Sequence, residues 1–294
     1  MDYLLHILIL IGIYTILSVS LNLISGYTGL LSVAQAALYG VGAYIAALLA
    51  LHFHLPFLVG LVCAALGAAV ISVIIAAPSL RVHDDYFVLA TFAFQVIAFG
   101  VMNNWVNFTG GPMGLPGIPQ PVIFGITIST HWQFLFLAAI LAALAVLLVR
   151  CLVRAPFGRV LRAIREDEVF AQSLGKNVIK YKLLVFVIGG ALAAVAGALY
   201  AHYISFIDPT SFTVQESIFI LAIVIVGGSG SIAGSIVGAV ALVALPEALR
   251  FIGLPSSIAA NVRQILYGGA LVACMMFRPQ GILGEFSFRK LSRS

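Results

Sequence analysis

The sequence predicts an all-α fold, a polytopic transmembrane helical bundle of about nine spans, with eight to ten permitted, plus one amphipathic cytoplasmic helix. Three observations predict it. Hydrophobic residues make up 62% of the 294 and charged residues 9%, with a mean hydropathy of +1.15; a soluble domain is about 45–50% apolar. Apolar runs approaching the roughly 20 residues that a bilayer-crossing helix needs recur along the chain. Charge is gathered in one place: Arg150, Arg154, Arg159, Arg162, Arg165, Lys176, Lys180 and Lys182 are eight of the fifteen basic residues. A transmembrane barrel would alternate apolar and polar positions, and these runs are apolar on every side.

The candidate spans are 4–24, 30–51, 55–77, 86–105, 131–149, 183–204, 214–228, 231–249 and 262–278. The first resembles a secretory leader in its apolarity, but only Asp2 precedes it and no small-residue cleavage site follows. It reads as a retained span. Arg81 and Asp84-Asp85 precede the fourth span, where an aspartate suits the positive end of the helix dipole. The loop 106–130 carries Thr109-Gly110-Gly111-Pro112 and Leu115-Pro116-Gly117-Ile118-Pro119, a Gly and Pro density that means turns and extended backbone.

The island 150–182 and the tail with Arg278, Arg289, Lys290 and Arg293 belong on the cytoplasmic side by the positive-inside rule. Three spans must then separate them. The apolar run 214–249 therefore crosses twice, breaking at Gly227-Gly228-Ser229-Gly230-Ser231, and the N-terminus lies outside. No low-complexity linker divides residues 1–294, so the chain reads as a single integral-membrane domain with a cytoplasmic loop at 150–182. A weak internal echo is present: Gly26-Tyr27-Thr28-Gly29 precedes one small-residue span and Gly227-Gly228-Ser229-Gly230 another. Glycine breaks at matching places can mark a transport path or serve close helix packing.

Several chemistries are missing. Gly175-Lys176 is followed by Asn177, with no glycine five residues before Gly175, so the phosphate-binding loop of an ATPase is absent. Gly228, Gly230 and Gly234 match a dinucleotide fingerprint only loosely. Cys63, Cys151 and Cys274 are odd in number and lack metal spacing, so they read as reduced thiols. No catalytic set, cofactor or metal site is expected, and the net charge of +5 reflects cytoplasmic Lys and Arg rather than nucleic-acid binding. Asp208, Glu216, Glu247, Arg250, Arg263 and the histidines all fall near predicted span ends, which disfavours a proton-driven carrier.

The intramembrane polar groups are the amides Asn22, Gln35 and Gln95. Each can bond to a neighbouring helix or line a passage for a polar solute. Gln35 is the best pathway candidate, because Ser32, Ala34, Ala36 and Gly40 leave room around it.

Arg159 to Leu174 carries Val160, Ile164, Ala171 and Leu174 on one helical face. Arg159, Arg162 and Arg165 offer a basic side, Glu166-Asp167-Glu168 an acidic patch, and Gly175 a C-terminal stop. Three arginines could rest on anionic lipid. The acidic triplet would be repelled there, and mixed signs suit a protein partner.

These residues carry a resemblance. Gly158-Arg159-x-Leu161-Arg162-Ala163-Ile164-Arg165-Glu166-Asp167-Glu168, then Ser173-Leu174-Gly175 and Tyr181-Lys182, resemble the cytoplasmic loop of branched-chain amino-acid ABC transporter permeases. Gly29-Leu30-Leu31-Ser32 with Gly40-x-Gly42-Ala43-Tyr44, Asp85-Tyr86-Phe87, Thr109-Gly110-Gly111 with Gly114, Gly227-Gly228-x-Gly230-Ser231-Ile232-x-Gly234 and Phe277-Arg278-Pro279-Gln280-Gly281 extend it along nearly the whole chain. The pattern is most similar to the family's LivM-type branch. Members often carry histidine near Gln35 and an acid near Gln95, where this chain has amides.

The resemblance implies a multi-pass permease of the bacterial inner membrane that is not itself an enzyme. It would import Leu, Ile and Val, paired with a second permease, two cytoplasmic ATPase subunits and a periplasmic binding protein. ATP hydrolysis would occur on those separate subunits. Gly158, Arg159, Arg162, Arg165, Glu166, Asp167, Glu168 and Gly175 would form the coupling element. A permease for urea or another small polar solute shares the architecture, and a stand-alone channel or secondary carrier is the reading from a different class.

Overall fold

The computed structural model describes residues 2–80, 84–123, 126–250, 268–269, 271–272, 274, 276 and 280–284. The ninth candidate span, 262–278, falls largely outside these residues, as do Arg81 and the basic tail. Among the described residues six helices are long and apolar enough to cross a membrane. They are α1 (Asp2–Leu21), which continues with π-helical bonding through Asn22–Gly26, α2 (Gln35–Phe53), α3 (Phe57–Ser79), α4 (Asp84–Asn104), α6 (His131–Arg154) and α9 (Val178–Ile204). A short α5 (Val106–Thr109) follows α4. Between α6 and α9 lie α7 (Pro156–Glu166) and α8 (Glu168–Ser173). The chain then forms α10 (Val214–Gly227) and α11 (Ile232–Arg250).

The predicted run 214–249 does break between Gly227 and Ile232. The second predicted span begins later than expected. Residues 29–34 are non-helical, and α2 starts only at Gln35.

α1, α2 and α9 are mostly buried, whereas α3, α4 and α6 each present an exposed apolar face. The inner helices approach closely because small residues meet. Gly42 of α2 lies against Ala194 of α9, and Gly197 of α9 lies against the Tyr39 carbonyl. A side chain at either position would collide with the opposing backbone, which is how membrane helices that gain nothing from water exclusion hold together. The hairpin of α10 and α11 uses the same device, with Gly227 against Gly234 and Ile223 against Gly238. α1 packs against α6 and α11 on the other side.

The loop after α5 forms turns and extended backbone, as its Gly and Pro content predicts. Leu115–Pro116 (β1) pairs antiparallel with Phe206–Ile207 (β4), and Val122–Ile123 (β2) with Ile126–Thr127 (β3). Thr130 opens α6 through a capping box with Gln133, satisfying N-terminal donors of the helix.

α10 has 14 residues. At 1.5 Å per residue it rises about 21 Å, short of the roughly 30 Å hydrocarbon core. Its N-terminus therefore lies within the bundle, after a 3-10 turn at Pro209–Phe212. Phe212 anchors that turn, with its ring 5.1 Å from Tyr39 and 6.0 Å from Tyr44.

Candidate functional site

The predicted cytoplasmic helix is two helices. Pro156 occupies the first turn of α7, where its missing N–H costs nothing. α7 ends at Glu166 because Asp167 is extended, with φ −157° and ψ 106°. The Asp167 carboxylate then caps α8 by accepting from the Phe170 N–H at 2.9 Å. Chain reversal after α8 uses Gly175 at φ +75°, a left-handed conformation that favours glycine.

The break changes which residues share a face. Gly158, Leu161, Ile164 and Ala171 are buried, but Leu174 is 61% exposed. Leu174 does not continue the apolar stripe, since the turn at Asp167 rotates α8 away from the phase of α7.

The three arginines also diverge. Arg159 points into solvent with Glu166 and Asp167. The Arg162 guanidinium lies 5.9 Å from the centre of the Tyr27 ring, within cation–π reach. Arg165 turns inward and is half-buried: Nη1 donates to the Gly26 carbonyl and Nη2 to the Ser229 hydroxyl at 3.2 Å. Burial pulls the Arg165 pKa below its ordinary value, with Tyr27 opposing the shift. The acidic triplet is similarly divided. Asp167 is the cap, and Glu168 receives Lys182 Nζ at 2.6 Å, with side-chain exposures of 35% and 5%. The triplet is therefore not one patch presented outward, because two of its members serve the internal fold.

Arg165 rests on a joint between the two glycine-rich breaks. Asn22 makes that joint. Its Oδ1 accepts from the Gly230 N–H at 2.8 Å, and its Nδ2 donates to the Ser231 carbonyl at 2.9 Å and the Ser235 hydroxyl at 2.7 Å. Ser18, one turn earlier on α1, donates to the Ser235 carbonyl at 3.2 Å. The last carbonyls of α10 accept from the tail, Val226 from the Ile282 N–H and Gly227 from the Leu283 N–H, both at 2.9 Å.

A second polar centre lies at the N-terminus of α2. Helix starts leave backbone donors unsatisfied, and here buried side chains meet them. The Ala36 N–H donates to the Ser217 hydroxyl at 2.9 Å and the Ala37 N–H to Gln95 Oε1 at 2.7 Å. Gln95 Nε2 donates to the Phe212 carbonyl at 2.8 Å, and Ser217 donates to Gln95 Oε1 at 3.1 Å. Gln35 Nε2 donates to the Ser20 hydroxyl, while Gln35 Oε1 is buried with no partner among the described residues. α1, α2, α4 and α10 thus meet where two helices begin inside the bundle, an arrangement that transporters place at solute sites.

Glu216 was expected near a span end. Its carboxylate accepts from the Tyr14 hydroxyl at 2.5 Å, and Tyr14 is at the middle of the span Asp2–Gly26. The short α10 carries Glu216 inward. Glu216 is thus at a helix end, in the first turn of α10, and level with the middle of α1, one residue from Ser217.

Asn22, Gln35 and Gln95 are all buried, Asn22 in the joint and the two glutamines in the polar centre. Sequence reasoning passed over Ser20, Tyr14, Ser217 and Ser229. One signal was available: Ser18 with Asn22, and Ser231 with Ser235, are each four apart and share a helix face.

A family described as "Branched-chain amino acid transport system / permease component" matches residues 3–275. The chain is 36% identical to the high-affinity branched-chain amino acid transport system permease protein LivM of Escherichia coli (strain K12), covering 92% of this chain and 68% of that one. It is 27% identical to a probable branched-chain amino acid transport permease protein LivM of Methanocaldococcus jannaschii, over 97% and 94% of the two chains. Against the permease protein LivH of Escherichia coli (strain K12) the identity is 28%, over 95% and 93%. No solved structure matches the chain.

Proposed function

Because the chain belongs to the branched-chain amino acid transport permease family, we propose that it is the LivM-type transmembrane subunit of an ATP-driven importer for Leu, Ile and Val in a bacterial inner membrane. A second, related permease completes the passage. Two cytoplasmic ATPase subunits supply the energy, and a periplasmic binding protein delivers the solute. The chain brings neither ATP chemistry nor a cofactor of its own.

The observation that carries this reading is the position of Arg165. One face of α7 presents Arg159 and Glu166 to a partner, and the other inserts Arg165 between the Gly26 carbonyl and Ser229. Movement of α7 must therefore act on the cytoplasmic ends of α1, α10 and α11 together. ATP shifts the permease between outward- and inward-facing states only if α7 is docked differently in each, because a ligand moves an equilibrium by its differential affinity for the two states. The mixed charges on the outer face set register with the ATPase.

Reconstitution of the four kinds of subunit in proteoliposomes tests this. Arg159→Glu is expected to weaken co-purification of the ATPase. Arg165→Glu is expected to leave co-purification intact and abolish ATP-dependent leucine uptake. Uptake that survives Arg165→Glu removes α7 as the route of energy entry. Urea uptake in the same vesicles, with no leucine uptake, replaces the amino-acid assignment; the amides at Gln35 and Gln95 make that comparison necessary.

A further inference from the structure

A cleft of about 330 Å³ opens between α6, α7 and the start of α11, next to the Arg165 joint. Arg150 and Arg154 line it from the last turns of α6 and Arg162 from α7; Val146 and Ile236 supply apolar wall, and Ser231 a hydroxyl. Among the described residues no carboxylate lines the cleft. Among the described residues Arg150 and Arg154 make no hydrogen bond or ion pair, and Arg162 Nε is buried without a partner.

Three cations line this one cleft, Arg150 and Arg154 exposed and Arg162 half-buried, so an anion seated in it would meet all three. Arg150 and Arg154 close the apolar helix α6, and the positive-inside rule places such a basic span end at the cytoplasmic edge of the membrane. Above them α6 continues as an exposed apolar face through Leu148, Leu147 and Leu144. A ligand that fits both parts has a phosphate at one end and hydrocarbon at the other. Basic pockets between transmembrane helices on the cytoplasmic side bind anionic lipid headgroups in this way, and guanidinium groups match phosphate oxygens in pairs.

We propose that this cleft is a binding site for an anionic glycerophospholipid of the cytoplasmic leaflet, its phosphate held by Arg150, Arg154 and Arg162 and one acyl chain lying along α6. The headgroup joins the end of a membrane span to α7. Binding is independent of the transport assignment; an effect of lipid composition on uptake rests on it.

The test uses the full chain in nanodiscs of phosphatidylcholine containing phosphatidylglycerol, with the lipid retained after extraction counted by native mass spectrometry. Phosphatidylglycerol is expected to be retained over phosphatidylcholine. The double change Arg150→Gln/Arg154→Gln is expected to lower retention about thirtyfold, and Arg150→Lys/Arg154→Lys, which keeps the charge that orients the chain, to lower it less. Ile236→Trp fills the cleft with every arginine in place and is expected to lower retention as well. Equal retention of the two lipids by the unaltered chain overturns the proposal. Retention undiminished by Ile236→Trp overturns it too, because the arginines would then be a general basic surface. Displacement of the lipid by millimolar glycerol 3-phosphate assigns the site to a soluble phosphate and removes the lipid.

Discussion

Asn22 Oδ1 accepts a hydrogen bond from the Gly230 N–H at 2.8 Å, across 208 residues of chain. The bond joins two glycine-rich breaks, Gly26-Tyr27-Thr28-Gly29 and Gly227-Gly228-Ser229-Gly230, that occupy similar places in the two halves of the sequence. Packing and mechanism meet there, since Arg165 touches one residue of each break, Gly26 and Ser229.

Replacing Asn22 by Leu leaves the buried Gly230 N–H without its side-chain acceptor and takes from the Ser231 carbonyl one of two side-chain donors, the Ser235 hydroxyl at 3.3 Å remaining. Interhelical hydrogen bonds in membranes average about 0.6 kcal/mol and reach about 1.7. A loss of about 1–2 kcal/mol is expected for the whole Asn22 set, measured by denaturant unfolding in mixed micelles. Full stability with impaired uptake would instead make Asn22 a pathway residue.

Arg165→Lys keeps the charge but replaces a planar fork by a point donor. An ammonium cannot serve the Gly26 carbonyl and Ser229 with the same spread. ATP-dependent uptake is expected to fall several-fold, between the wild-type rate and the null expected of Arg165→Glu, while ATPase co-purification stays constant. Uptake equal to wild type would show that charge alone suffices at this joint.

Glu168 and Lys182 predict an asymmetry. Lys182 is buried and Glu168 partly exposed. Glu168→Gln takes from a buried ammonium the carboxylate it meets at 2.6 Å, a loss expected to cost about 1–3 kcal/mol. Lys182→Met leaves a carboxylate that water can reach, for less than about 1 kcal/mol. Thermal unfolding of the two variants side by side decides it, and equal costs would mean that solvent reaches the pair from both sides.

The spans were legible because apolarity and length identify a membrane helix one segment at a time. The break at Gly227–Ser231 was legible because charge placement forced an extra crossing. Features that depend on tertiary geometry were not. Asp167 sits between two other acids, and nothing local marks it as the residue that splits α7 from α8. The inward turn of Arg165, unlike the outward turn of Arg159, depends on partners distant in sequence, the Gly26 carbonyl and the Ser229 hydroxyl among them. Glu216 reads as a span end, and only the 14-residue length of α10 and its start inside the bundle bring that end against the middle of α1.

The glutamines of the polar centre separate packing from passage. Gln95 accepts from Ala37 and Ser217 and donates to Phe212, so Gln95→Leu is expected to destabilise the fold by about 1–3 kcal/mol through unpaired backbone groups. Gln35 donates once and keeps one unpartnered oxygen, so Gln35→Leu is expected to assemble normally. Uptake reduced in that variant makes Gln35 a pathway residue, and unchanged uptake makes it a packing residue.

Glu216 decides between an ATP-driven and a proton-driven passage. Its carboxylate is tied to Tyr14, and an amide at the same position keeps an acceptor for that hydroxyl while removing the titratable group. Glu216→Gln is therefore expected to retain ATP-dependent uptake, and a protonophore to leave uptake unaffected in vesicles loaded with ATP. Glu216→Leu deprives the Tyr14 hydroxyl of this acceptor and is expected to lower stability by about 1–3 kcal/mol. If Glu216→Gln and the protonophore each abolish uptake, the carboxyl is a proton site and the energy does not enter through α7.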